Sequence, residues 1–139
     1  MLRLSAVLRV LPVLLATLAL GVTAGCGGSD EAEEDAATPT EAVAEIGKIK
    51  TLLATAVAQA RAGDFETAGD TVGDAYVDHF ESVEAPLGER DQDLMEELEE
   101  AISTTLRNEI KDGKAADEIE TTVDAINVKL DKAVELLQS

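Results

Sequence analysis

The sequence is poor in several residue types on which common protein chemistries depend. Its 139 residues include one cysteine, one histidine, one tyrosine, two phenylalanines and no tryptophan. A single cysteine cannot form an internal disulfide bond or a thiolate metal cluster, and one histidine is too few for a multi-histidine metal site. Only 11 basic residues stand against 29 acidic ones, which gives a formal net charge of −18. Such a chain repels phosphate backbones, so we do not expect it to bind nucleic acid.

The sequence also lacks the short motifs that mark common catalytic sites. It contains no phosphate-binding loop, no glycine pattern for dinucleotides, no His-Glu-x-x-His and no nucleophile elbow. The hydroxyl residues 103–105 fall in the middle of a predicted helix, with no candidate base near them in sequence. We therefore expect a protein that is not an enzyme.

The first 25 residues have the features of a secretory signal. Arg3 and Arg9 supply a positive start, residues 10–22 are largely apolar, and small residues follow. The apolar run is shorter than the roughly 20 residues of an ordinary membrane span. We expect residues 1–25 to be a cleaved signal peptide.

The signal ends in Thr23-Ala24-Gly25-Cys26, which resembles a bacterial lipobox. That resemblance implies acylation of Cys26 and anchoring of the protein to the outer face of the bacterial cell membrane. Two acyl chains together give a stable anchor where one would not. Thr23 stands where an aliphatic residue is usual, and the alternative is plain secretion with cleavage near Ala24.

The segment that follows, residues 26–37, consists mainly of acidic residues and residues with small side chains. We expect a disordered tether there, because a run of like charges repels itself and has little to bury. Loss of Arg3 and Arg9 with the signal would leave nine basic and 29 acidic residues, a net charge of −20.

Residues 38–139 show helical periodicity throughout. Thr38, Asp64 and Asp91 are predicted N-caps, and Gly63 and Gly113 are predicted helix stops. Pro86 and Gly88 are expected to end the second helix. Four amphipathic helices of similar length with short connections predict an all-α fold, an antiparallel up-down four-helix bundle. Its core is expected to consist of leucine, isoleucine, valine and alanine.

The second helix carries the only histidine, His79, on its predicted apolar face. One interpretation is a core histidine hydrogen-bonded to a neighbouring carboxylate; the other is a metal ligand. Folding of the second and third helices about 87–88 would bring Tyr76 and His79 level with residues 95–99. Glu99 would then be the partner able to reach inward.

The opposite side of the second helix is acidic. Regular helical geometry directs its carboxylates outward, and oxygen ligands of this kind suit hard cations such as Fe³⁺, Ca²⁺ or Mg²⁺. The alternative is a solvated helix face with no ligand. The residues that form this stripe are Asp70, Asp74, Asp78, Glu81 and Glu84.

One stretch resembles a known family. It reads A-Y-x-x-x-F-E-x-x-E-x-x-L over residues 75–87, followed by Asp91, Leu94, Glu99, Leu106-Arg107 and Gly113. This is similar to the extracytoplasmic helical domain associated with high-affinity iron permeases of the oxidase-dependent type. The Arg-Glu-x-x-Glu motif of the permeases themselves is absent, so the resemblance implies an accessory role rather than transport.

The resemblance directs attention to four acidic or phenolic positions, Tyr76, Glu81, Glu84 and Glu99. It implies that Arg107 is an ion-pair partner that holds the helical hairpin together. With His79, the candidate metal ligands are therefore His79, Glu81, Glu84 and Glu99, and Tyr76 and Arg107 are structural.

These observations leave two functional hypotheses and one weaker possibility. The first is a lipid-anchored bundle that binds metal cations, iron among them, beside a membrane importer such as an iron permease. The second is a non-catalytic module that docks on a basic membrane protein or envelope polymer through its charge. The third is a structural envelope lipoprotein without a ligand.

Overall fold

A computed structural model of the chain describes residues 37–139. The predicted signal peptide, Cys26 and the predicted tether up to residue 36 lie outside the described residues. The described part is all-helical, with four helices and no strand.

Helix α1 is Pro39–Arg61 and helix α4 is Ala116–Leu137, and both are regular throughout. Helix α2 begins as Phe65–Asp74, widens into a π-helical turn at Ala75–Phe80, and continues as Glu81–Gly88. Helix α3 has the same plan: Gln92–Glu99, a π-helical turn at Glu100–Leu106, and Arg107–Lys111.

The helix ends follow the sequence signals. Thr38 forms a capping box with Glu41, because its hydroxyl accepts from the Glu41 N–H while the Glu41 carboxylate accepts from the Thr38 N–H at 2.8 Å. Asp64 accepts from the Thr67 N–H at 3.2 Å. Asp91 accepts from the Leu94 N–H at 3.0 Å. These predictions are confirmed.

Both predicted glycine stops are also confirmed. Gly63 has φ +81° and Gly113 has φ +67°, in the left-handed region that favours glycine. Pro86, in contrast, does not end α2: it lies inside the last segment of the helix, which ends at Gly88. Pro86 has no N–H and leaves one bond of the helix unmade, but the hydrogen bond after it, from the Glu89 N–H to the Ala85 carbonyl, is formed at 3.2 Å.

A single core of aliphatic side chains runs between the four helices. Phe80 is the one aromatic residue buried in it among the residues that the structure describes, and Thr71 is the one buried polar residue. The hydroxyl of Thr71 lies 2.9 Å from Gln59 Oε1 and from the Thr67 carbonyl. The largest fully buried members of the core are Phe80, Ile46, Ile49, Leu53, Leu87, Leu98, Ile102, Leu106, Ile110, Ile119, Ile126 and Leu130.

The π-helical turns keep this core on one side of α2 and α3. In α3, Leu94, Leu98, Ile102, Leu106 and Ile110 recur every four residues, and all five are buried. In a regular α-helix each such step drifts by about 40°, since four residues exceed one turn of 3.6. A π-helical turn takes up the excess, so the whole series can face the core.

Candidate functional site

The Tyr76 side chain is at the centre of the candidate site. It lies in the π-helical turn of α2, its ring stacks on that of Phe80 with centroids 5.9 Å apart, and its hydroxyl donates to Glu99 Oε1 on α3 at 3.4 Å. The expected alignment of Tyr76 with residues 95–99 is therefore confirmed. The hydrogen bond joins the π-helical turn of α2 to the residue directly before that of α3.

Three glutamates surround the hydroxyl. Burial and the nearby charges of Glu84, Glu99 and Glu81 raise the pKa of Tyr76 to about 12, because each of these carboxylates opposes formation of a phenolate. Among residues 37–139, none of the three glutamates is in an ion pair with a lysine or arginine. The negative charge around the hydroxyl is therefore uncompensated by the described chain. We call Tyr76, Glu81, Glu84 and Glu99 the tyrosine–carboxylate group.

Glu84 is the member of this group with a buried oxygen, Oε1, that lacks a hydrogen-bond partner among the described residues. Burial, with the charges of Glu99 and Glu81, raises the pKa of Glu84, while the nearby Tyr76 hydroxyl acts in the opposite direction. The geometric hydrogen bond of that hydroxyl goes to Glu99, which leaves Glu84 Oε1 without a donor among the described residues.

The partial burial of Glu84 differs from the outward direction that a regular helix predicts. The π-helical turn at Ala75–Phe80 inserts about one residue, which rotates every later side chain by about 100°. Glu84 is thereby turned towards the core edge, whereas Glu81 stays exposed. Glu81 and Glu84 line a shallow groove between α2 and α3, with Met95 opposite them.

His79 has a different neighbour from the one expected. Its Nδ1 atom lies 2.6 Å from Glu45 Oε2 on α1, and the other oxygen of Glu45 is 2.8 Å from Lys48 Nζ. The same π-helical turn explains the change, because it places Phe80 in the core and moves His79 to the flank that faces α1. His79 and Glu99 therefore do not form one site, and the pairing with a carboxylate matches the alternative interpretation of a hydrogen-bonded histidine.

Arg107 also differs from its predicted role. It makes no ion pair with any residue in the described range 37–139. Its guanidinium packs instead against α2 at Gly73, where a Cβ atom would lie 3.9 Å from Nη2. Arg107 thus contacts the hairpin partner by packing and not through a carboxylate.

The remaining candidate residues do not join the tyrosine–carboxylate group. Asp70, Asp74 and Asp78 are exposed on α2. Within residues 37–139 no three His, Cys, Asp or Glu side chains lie close enough to hold a metal ion between them. A cation at the tyrosine–carboxylate group would therefore need water ligands or a rotation of the exposed Glu81 side chain.

Comparison of the chain with protein-family models, curated proteins and solved structures found no match. In the described residues, none of the helices combines the length and apolarity that crossing a membrane requires.

Proposed function

We propose that this protein is an extracytoplasmic lipoprotein that binds a hard metal cation, iron in particular, as an accessory to uptake. The observation that carries the proposal is that Glu81, Glu84 and Glu99 lie near Tyr76 without an ion-pair partner among the described residues, and that Glu84 Oε1 is buried without a hydrogen-bond partner there. A bound cation would supply the missing positive charge and the missing partner of Glu84 Oε1. Carboxylate oxygens are the ligands that hard cations prefer.

The residues divide into distinct roles in this proposal. Glu84 and Glu99 are the primary ligands, Glu81 closes the site from its exposed position, and water completes the coordination, as is usual for small hard cations. Tyr76 is a positioning residue, because its high pKa keeps the hydroxyl protonated and donating to Glu99. His79, held by Glu45, belongs to the α1 side and has no part in this site.

The proposal includes an antiparallel up-down arrangement of the four helices. Its support is the order of the contacts between neighbouring helices. On α1 and α4, Lys50 pairs with Asp131 and Arg61 with Glu120, so a later residue of one helix meets an earlier residue of the other. The same reversal holds between the other neighbouring helices. Helices α1 and α2 meet in the pairs Glu45–His79 and Gln59–Thr71. Helices α2 and α3 meet in Gly73–Arg107 and Tyr76–Glu99, and helices α3 and α4 meet in Asp91–Lys132 and Glu109–Thr122.

The membrane location in the proposal rests on the signal-like residues 1–25 and Cys26. Acylation of Cys26 would place the helical domain on the outer face of the membrane, next to a permease that takes up the cation. Metabolic labelling with a palmitate analogue tests this. We expect the label on the wild-type chain and none on Cys26→Ser, and a wild-type chain that is secreted unlabelled would contradict the anchor.

Terbium luminescence tests cation binding directly. Tb³⁺ is a hard trivalent cation, and the chain has one tyrosine and no tryptophan, so any emission sensitised by the protein reports an ion close to Tyr76. We expect sensitised emission from the full chain, which Fe³⁺ supplied as a citrate chelate competes away. Glu84→Gln and Glu99→Gln should each abolish most of it.

Two matched variants serve as controls for the terbium titration. Glu135→Gln removes one exposed carboxylate from α4, and His79→Ala removes the residue that lies on the α1 side. Both should retain the wild-type emission. Absence of emission in the wild type, or equal loss in Glu135→Gln and Glu84→Gln, would overturn the proposed site.

A second candidate function is docking on a basic partner. The observation that favours it is an acidic groove beside α4 on α3. It is lined by Asp93, Glu96, Glu97, Glu99 and Glu100, and by Lys129, which pairs with Glu97 at 3.0 Å. Charge complementarity of this kind accelerates association and is screened by salt. Capture of a basic peptide that is lost at high salt and in Glu96→Gln/Glu100→Gln, but persists without metal, would favour docking.

A further inference from the structure

The strongest concentration of unpaired positive side chains in the described residues lies away from the tyrosine–carboxylate group. Arg107 and Lys111 stand four residues apart on α3 and both line one cleft between α2 and α3. Neither is in an ion pair within residues 37–139. Like charges at this spacing on a helix repel each other. In a chain with 29 acidic residues, two adjacent cations that make no ion pair among the described residues are the positive charges that an external anion could contact.

The cleft also has apolar residues in its lining. Phe65 at the start of α2, Gly69 one turn later and Ile110 on α3 line it, and the cleft, which is open to solvent, has a volume of about 480 Å³. A Cβ atom at Gly69 would lie 3.8 Å from Ile110 Cγ2, so the glycine leaves room above the isoleucine that a larger side chain would take. The volume falls within the range of small-molecule pockets, which combine apolar walls with a few placed polar groups.

Polar side chains beside the two cations complete the recognition surface. Ser103 and Asn108 line the same cleft, and the Ser103 hydroxyl lies 3.3 Å from Thr104 Oγ1. Glu66 also lines the cleft and would repel a ligand that carries several negative charges. A single anionic head group between Arg107 and Lys111, with an apolar body over Phe65, matches this distribution.

We propose that this cleft binds a small organic anion with one carboxylate or phosphate head group and a compact apolar body. Arg107 presents the planar donor pair that suits either head group, and Lys111 adds a second charge on the same side. The site involves none of the residues of the tyrosine–carboxylate group, so the two proposals stand or fall separately.

Fluorine NMR on the full chain in a nonionic detergent tests the cleft. The probes are 4-fluorobenzoate and 4-fluorophenyl phosphate, with 4-fluorobenzamide as the neutral analogue and inorganic phosphate as a competitor without an apolar body. We expect at least one anionic probe to bind about tenfold more tightly than the amide. Inorganic phosphate should displace it only weakly.

Variants assign the binding to the cleft. Lys111 is exposed, so Lys111→Gln should fold normally, and this substitution should weaken anion binding several-fold. Arg107→Gln should weaken anion binding further. Arg90→Gln is the matched control, because Arg90 is an exposed arginine outside the cleft. Equal binding of benzoate and benzamide, or an unchanged affinity in Lys111→Gln and Arg107→Gln, would overturn the proposal. Inorganic phosphate that competes as strongly as the aromatic anions would also overturn it.

Discussion

The imidazole of His79 and the carboxylate of Glu45 meet across α1 and α2, with Nδ1 and Oε2 2.6 Å apart. An ionised carboxylate has no proton to donate, so the histidine Nδ1–H donates to it. Both side chains are about one-fifth exposed, which leaves the pair partly shielded from water. This contact connects the π-helical turn of α2 to the first half of α1.

Glu45 makes the fold sensitive to acid. The Lys48 ammonium, followed by His79, holds the pKa of Glu45 below its usual value of 4.5. Because the folded-state pKa is lowered, the contribution is complete above pH 4.5 and is lost as the pH falls through the lowered value. Glu45→Gln should reduce the free energy of unfolding at pH 7 by about 1 kcal/mol and have little effect near pH 3. Thermal unfolding measured at both pH values checks this, and an equal loss at both would contradict it.

Glu84 should behave in the opposite way. Burial raises its pKa, so its ionised form is disfavoured in the folded chain and the fold loses stability as the pH rises above 4.5. Glu84→Gln should therefore stabilise the metal-free protein at pH 7, by about 1 kcal/mol, and change it little at pH 4. Chemical denaturation at the two pH values is the measurement, with Glu135→Gln as the matched control. A destabilised Glu84→Gln at pH 7 would show that the carboxylate has a partner we have not identified.

The single tyrosine permits a direct test of the electrostatics around it. With no tryptophan in the chain, ultraviolet absorbance reports the ionisation of Tyr76 alone. The folded protein should show a pKa of about 12, and the urea-unfolded chain should return to the ordinary value of 10.0. Glu84→Gln and Glu99→Gln should each lower the folded-state pKa, since each removes a negative charge. A folded-state pKa near 10 would contradict the proximity of these carboxylates.

Removal of the Tyr76 hydroxyl isolates its hydrogen bond. Tyr76→Phe keeps the ring stacked on Phe80 but leaves Glu99 without its donor. We expect a loss of about 1 kcal/mol in the free energy of unfolding. Tyr76→Phe also removes the sensitiser of terbium emission, so its effect is measured by the melting temperature. Phe65→Leu alters an aromatic residue elsewhere on α2 and is the control that should leave terbium emission unchanged.

Two glycine substitutions should have opposite signs. Gly63→Ala forces a Cβ atom into φ +81° and should cost about 1 kcal/mol. Gly47 lies exposed within α1, and an added Cβ would have no atom within 4 Å beyond its chain neighbours and the adjacent helix backbone, so Gly47→Ala should stabilise the fold by up to about 1 kcal/mol. Melting temperatures of the pair measure both effects, and a stabilised Gly63→Ala would contradict the left-handed turn.

The helix ends and the aliphatic core could be predicted from the sequence because each depends on local chemistry. The caps at Thr38, Asp64 and Asp91 and the glycines at 63 and 113 act within one turn of the chain. The alignment of Tyr76 with Glu99 followed from the short connection between α2 and α3. These features require no knowledge of how the helices deviate from regular geometry.

The positions of His79 and Glu84 could not be predicted from a regular helix, because both depend on the π-helical turn at Ala75–Phe80. A signal was present in the spacing of apolar residues. Leu94, Leu98 and Ile102 continue in steps of four, which a straight α-helix cannot keep on one face. The same spacing relates Ala68, Val72, Tyr76 and Phe80 on α2. Long runs of fours in an amphipathic helix therefore indicate a wide turn.

The two π-helical turns also distinguish α2 and α3 from α1 and α4. Helices α1 and α4 run for 23 and 22 residues without interruption, whereas α2 and α3 each change their hydrogen-bond pattern midway. Local opening is easiest where regular bonding is interrupted. We expect amide protons in Ala75–Phe80 and Glu100–Leu106 to exchange before those of α1 and α4. The amide protons of α1 and α4 would then be protected longer than those in the middle of α2 and α3, and the single tyrosine of the chain lies in the part that opens first.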